Sequence, residues 1–130
     1  MGKKDKAADI CAQLQDAVKG IRYPGAGGER SYPLAVLKPW KRSMLAISKA
    51  ELLRHFGLAS GVLVEEVSVE YFFGDLPNKR SDWKTLYDLL LMELSNTQVF
   101  RVGETIIRVY IIGRGPTDEW LGIRTKVVET

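Results

Sequence analysis

Apolar residues recur at fours near the start of the chain, at Ile10, Leu14 and Val18, with Ala7, Cys11 and Ile21 beside them. That spacing predicts a helix over residues 5–20, with Asp5 as its N-cap and Gly20 as its C-cap. The stretch YPGAGGERSYP, residues 23–33, carries loop signals throughout. Residues 34–37 read as a short apolar strand stopped by Pro39, and residues 44–47 as a second short strand or the approach to a helix. Ser48-Lys49-Ala50-Glu51 has the form of a capping box, in which the hydroxyl takes the third amide and the carboxylate reaches back. It opens a helix over 48–56 that Gly57 closes. Residues 62–73 fit either a strand or a helical turn, and residues 74–78, Gly-Asp-Leu-Pro-Asn, read as a turn. Ser81 caps the clearest helix, 82–95, whose Trp83, Leu86, Tyr87, Leu90, Leu91 and Leu94 form one wide apolar stripe. Asn96-Thr97 ends it.

Beyond that point the period switches to two. Residues 99–102, 105–112 and 121–128 read as three strands, joined by a tight turn at Gly103-Glu104 and a longer one across 114–119. The middle strand, TIIRVYII, is nearly all apolar, so both its faces should be covered. Helices on two sides of a sheet make an α/β protein. The expected architecture is a three-layer α/β/α sandwich around a mainly antiparallel sheet that ends in a three-stranded meander.

With 130 residues, 45% hydrophobic and 27% charged, the chain is expected to form one soluble domain with a sizeable core, spanning residues 1–130. The longest apolar run, residues 89–92, is far too short to span a membrane. The basic start has no apolar segment of a secretory signal, and Cys11 is alone. A cytoplasmic location is therefore the expectation. The net charge of +3 is unevenly spread: residues 1–50 hold ten Lys/Arg against four Asp/Glu, while residues 51–98 hold four against eight. A nucleic-acid module concentrates a stronger excess, so nucleic acid is not the expected partner.

Catalytic chemistry is hard to assemble from these residues. His55, next to Phe56 near a helix end, has no evident partner for acid–base work. One Cys and one His do not make a zinc cluster. GAGG lacks the Gly-Lys-Ser/Thr that completes a phosphate loop. Glu65-Glu66 reads as a solvated pair. The residues describe a binding protein rather than an enzyme, with no cofactor of its own. Among the tryptophans, Trp83 lies on the helix stripe and reads as core, and Trp120 begins the last strand. Trp40, between Pro39 and Lys41-Arg42, is a candidate partner contact with a cation–π neighbour, or else a cover for a strand end.

The last third, NTQVFRVGETIIRVYIIGRGPTDEWLGIRTKVVET, resembles the corresponding end of the nuclease A inhibitor family, small cyanobacterial inhibitors of sugar-nonspecific endonucleases. The likeness runs through QVFRVGE, the VYIIG strand and the closing GIRTKVVET. Upstream it continues in Phe72-Phe73, the Leu-rich helix, Ser31-Tyr32-Pro33 and Gln13-Leu14, and it is carried least by residues 37–63. The resemblance implies an α/β/α sandwich that docks in the cleft of a DNA/RNA nonspecific endonuclease; a monomer is the expectation for the free chain. It implies that Thr130 reaches the nuclease's divalent metal, Mg²⁺, with Glu129 beside it. A terminal carboxylate, ionised at neutral pH, and a Thr hydroxyl are both hard oxygen donors of the kind Mg²⁺ prefers. It also implies a second contact at Glu29, three residues before Tyr32, although the Gly25–Gly28 stretch lengthens the loop here. The family's tryptophan contact has no clear counterpart, because Trp83 aligns with a buried helix position. The resemblance extends to an acidic inhibitor, whose charge suits a basic cleft, whereas this chain carries +3. The other reading is a non-inhibitory interaction protein of the same fold, touching nucleic acid weakly through Lys3, Lys4, Lys6, Lys38, Lys41 and Arg42.

Overall fold

The computed structural model describes residues 6–24, 31–41 and 46–128. The expected helix cap Asp5, the glycine-rich stretch 25–28, the first half of the expected strand 44–47, and Lys3, Lys4 and Arg42 lie outside the described residues.

Helix α1 (Lys6–Val18) buries the predicted fourfold stripe of Ala7, Ile10, Leu14 and Val18. The chain turns at Gly20 with a positive φ of 76°, the left-handed geometry that a residue without a Cβ adopts at little cost. The following stretch differs from expectation. Residues 22–24 and 31–33 form a two-stranded ladder, β1 (Arg22–Pro24) and β2 (Ser31–Pro33), with Tyr23 opposite Tyr32. Local Pro and Gly signals read as loop, but Tyr23 stacks on Phe72 with ring centroids 4.9 Å apart and meets Trp83 edge-on. Burying that ring against the core holds the backbone extended.

Two very short strands, β3 (Ala35–Val36) and β4 (Trp40–Lys41), follow. Helix α2 (Lys49–His55) carries the capping box as read: the Ser48 hydroxyl accepts from the Glu51 amide, and the Glu51 carboxylate accepts from the Ser48 amide. The stretch left open between strand and helix contains both. Strand β5 (Val64–Val67) gives way to helix α3 (Val69–Phe73), whose Ser68 hydroxyl caps the Tyr71 amide at 3.0 Å. The expected turn at 74–78 instead leads into a one-turn helix, α4 (Leu76–Lys79). Pro77 sits in its first turn, where a missing N–H costs nothing because it would be unsatisfied anyway.

Helix α5 (Ser81–Glu93) buries Trp83, Leu86 and Leu90. Arg80, not Ser81, holds the N-cap position, and Asp82 accepts from the Trp83 amide at 2.8 Å. The helix stops two residues earlier than its apolar stripe suggested, because the sheet takes the chain from Ser95 onward. Strand β6 (Ser95–Val102) already pairs at Ser95 with Arg114, and a register shift before Gln98 accommodates Asn96 at φ 51°. Strands β7 (Ile106–Arg114) and β8 (Glu119–Val128) complete the sheet.

The larger sheet runs β3-β8-β7-β6-β5, with β4 also paired to β8, and every pairing is antiparallel. The protein is thus α/β with a mainly antiparallel sheet. At Gly122, opposite Ile112, a Cβ would collide with the Ile111 carbonyl oxygen, so the β7–β8 approach there requires glycine. Odd-numbered residues of the sheet, Val99, Val109, Ile111, Leu121 and Ile123 among them, pack with α1, α3 and α5. Even-numbered ones, Phe100, Tyr110, Ile112 and Trp120, pack with Leu37, Ile47 and Leu52 of the α2 region. The middle strand is buried on both sides over 109–113, as its composition predicted, but Ile106 and Arg108 at its start are exposed. Gln98 secures the approach to α2. Its carboxamide oxygen accepts from the Ile47 amide at 2.8 Å, while its nitrogen donates to the Ile47 carbonyl at 3.0 Å and to Glu66.

Candidate functional site

The segment of β8 that leads to Glu129 and Thr130 is tightly held. Lys126, Val127 and Val128 lie in unbroken register opposite Arg108, Ile107 and Ile106. Val127 is buried in the core facing α1 and α5. On the other edge, the Thr125 hydroxyl, the one buried polar side chain among the described residues, donates to the Pro33 carbonyl at 3.1 Å. The Lys126 ammonium sits 4.7 Å from the centre of the Tyr32 ring, within cation–π range. The fold therefore places the Tyr32-Pro33 segment, three residues after Glu29, beside the segment that precedes Thr130. Glu29, Glu129 and Thr130 themselves lie outside the described residues.

Next to this junction, on the even-numbered face of the sheet, is a cleft of about 180 Å³ lined by Tyr32, Pro33, Arg108, Tyr110, Arg124 and Lys126 among others. Tyr110 forms its inner wall. Its ring is stacked on Phe56, with centroids 4.4 Å apart. Burial pushes its phenol above the usual 10.0, against the opposing pull of Arg108 and Arg124. A tyrosine held neutral in this way contributes stability that is fully present below the unfolded value near 10 and is lost as pH rises through the higher folded value. Urea denaturation between about pH 8 and about pH 11 should show stability falling over the upper part of that range. Tyr110→Phe should flatten this fall, and an unchanged slope in the variant would assign it to other groups.

The sequence profile of nuclease A inhibitor-like proteins matches residues 8–130. The chain belongs to the nuclease A inhibitor-like family. No curated protein matches it.

In this nuclease A inhibitor-like protein, the candidate contact Trp40 lies away from the β8 end. It pairs with Trp120, eight residues before Val128, or about 26 Å along an extended strand. Its half-buried ring stacks on His55, 4.0 Å between centroids, and meets Phe56 edge-on. That places it over the start of β8. Trp83 is fully buried among Tyr23, Phe73 and its neighbours. Lys38 and Lys41 are exposed around β4 and Lys6 at the start of α1, on segments that pack with opposite faces of the sheet. Among the described residues, no three His, Cys, Asp or Glu side chains gather closely enough to hold a metal ion, and no helix is long and apolar enough to cross a membrane.

Sequence reasoning missed the cleft. The signal was present as Arg108, Arg124 and Lys126, polar positions of one parity in otherwise apolar strands. What it lacked was the register that sets Arg108 opposite Lys126 and Tyr110 opposite Arg124.

Proposed function

We propose that this chain is a proteinaceous inhibitor of a metal-dependent, sugar-nonspecific nuclease. It docks in the active-site cleft, and the carboxylate and hydroxyl of Thr130 bind the nuclease's Mg²⁺ in the place of a substrate phosphate. Glu129 and Glu29 make the neighbouring contacts. The reading includes a three-layer α/β/α sandwich closed by the β6–β7–β8 meander, acting in the cytoplasm as a monomer when free. The observation that carries it is the family match across residues 8–130. The pairing of β8 through Val128, with Tyr32 alongside, supports it, because a pre-ordered segment loses less entropy on docking than a frayed one. Thr130 and Mg²⁺ suit each other as hard oxygen donors and hard cation.

The test is a titration of the purified chain into a Mg²⁺-dependent endonuclease that degrades both DNA and RNA, encoded in the same genome. Cleavage of plasmid DNA and of RNA should be suppressed together, at near-equal molar ratios. Full cleavage at a large molar excess of the chain would overturn the reading. Retardation of DNA by the chain itself at low salt and not at high salt would instead favour the nucleic-acid reading.

A further inference from the structure

We propose that the cleft formed by Arg108, Arg124, Lys126 and Tyr32 receives a carboxylate side chain from the rim of the partner nuclease. This rests on the inhibitor reading above and deepens it by stating the chemistry of the partner surface. Arg108 and Lys126 are directly opposite each other across β7 and β8, and Arg124 lies one step along the same face. Like charges in such positions destabilise a ladder. Among the described residues, none of the three has a carboxylate within ion-pair distance. Some exposed cations elsewhere in the fold do have them: Lys84 reaches Asp88 at 2.8 Å, and Arg80 reaches Asp82 at 2.7 Å. A cationic cluster with no carboxylate partner among the described residues, set in a concave site, is open to an anion supplied from outside.

Size and surroundings select the anion. About 180 Å³ is below the usual range of roughly 300–1,000 Å³ for a small-molecule pocket, but it accommodates one acidic side chain. Guanidinium groups offer a carboxylate two parallel donors. Sites that grip a nucleic-acid single strand typically add aromatic faces for its bases to their cations. Here the Tyr32 ring is occupied by Lys126, and Tyr110 is 3% exposed and stacked on Phe56. The cleft adjoins the β8 segment that leads to Thr130, so it would face the nuclease beside the metal. This would suit a chain of net charge +3 to a nuclease whose cleft rim is acidic, with steering of association as the main effect.

The experiment titrates ¹⁵N-labelled full-length protein with a hexaglutamate peptide and, separately, with hexathymidylate, both at low salt. The variant Arg108→Gln/Arg124→Gln is compared with Lys38→Gln/Lys41→Gln, which removes the same charge elsewhere. Hexaglutamate should shift the amides of residues 106–110 and 122–128, and the Arg pair variant should bind it roughly five- to tenfold more weakly, as two lost exposed ion pairs imply. The control variant should change little. Shifts elsewhere, equal weakening by both variants, or tighter cleft binding of hexathymidylate would overturn the proposal. These outcomes need no nuclease, so they are separable from failure of the inhibition assay. With a nuclease that the chain inhibits, the Arg pair variant should also lower the association rate and its salt dependence. An unchanged rate would show that the cleft does not face the partner.

Discussion

Replacing Trp83 by alanine should lower stability by about 3–5 kcal/mol, the usual cost of emptying a large buried site. Against a total stability of about 5–15 kcal/mol, typical for proteins of this kind, that removes a large share. Trp83 has no exposed surface and packs edge-on against Phe73 and Tyr23. It lies where α5 meets α3 and the β1–β2 ladder, so its loss opens a cavity at the joint of three elements. Its indole N–H is buried with no hydrogen-bond partner among the described residues. Trp83→Phe therefore exchanges a smaller cavity for relief of that unsatisfied donor, and should cost clearly less than alanine. Urea midpoints of the three proteins check the order. An alanine variant as stable as the parent would show that the helix does not pack as described. The phenylalanine variant, if folded, should inhibit as the parent does, because the ring touches no solvent. A loss of inhibition at unchanged stability would make Trp83 a partner contact after all.

Deleting Thr130 should weaken binding to the cognate nuclease by about 2–4 kcal/mol, the scale of a central interface contact, or roughly 30- to 1,000-fold in affinity. Amidating the Thr130 carboxylate in the full-length chain isolates the charge from the side chain and should account for most of the loss. Thermal stability should stay near that of the parent, since the last ladder pair, Val128 with Ile106, is untouched by the deletion. Inhibition constants for the three proteins, measured with Mg²⁺ present, decide the matter. A complex that forms with undiminished affinity after truncation would sink the chelation idea while leaving inhibition by another surface standing.

Much of the fold was legible before the tertiary structure. The fourfold stripe of α1, the capping box of α2 and the alternation of β7 and β8 are local patterns, and each names its element because the buried face must repeat with the backbone period. The errors fell where a long-range contact outweighed a local preference. Tyr23 on Phe72 drew a Pro- and Gly-rich stretch into a ladder, and pairing of Ser95 with Arg114 ended α5 before its leucines ran out. The candidate site was legible only in part. The closing GIRTKVVET pointed to the family and to Thr130. The neighbourhood of Tyr32 and Lys126, 94 positions apart in the chain, was not written in either segment.

By itself the sequence determined the α/β class, the helices and strands with strong periodicity, and membership in the nuclease A inhibitor-like family, because these depend on which residue types recur at which spacing. Only the tertiary structure decided strand order, register and the joining of Tyr32-Pro33 to the end of β8. Those features follow from pairings between distant segments, where the choice among partners depends on the whole sheet. The cationic cleft is one outcome of that choice: shifting β8 by one residue against β7 would turn Arg124 and Lys126 into the core.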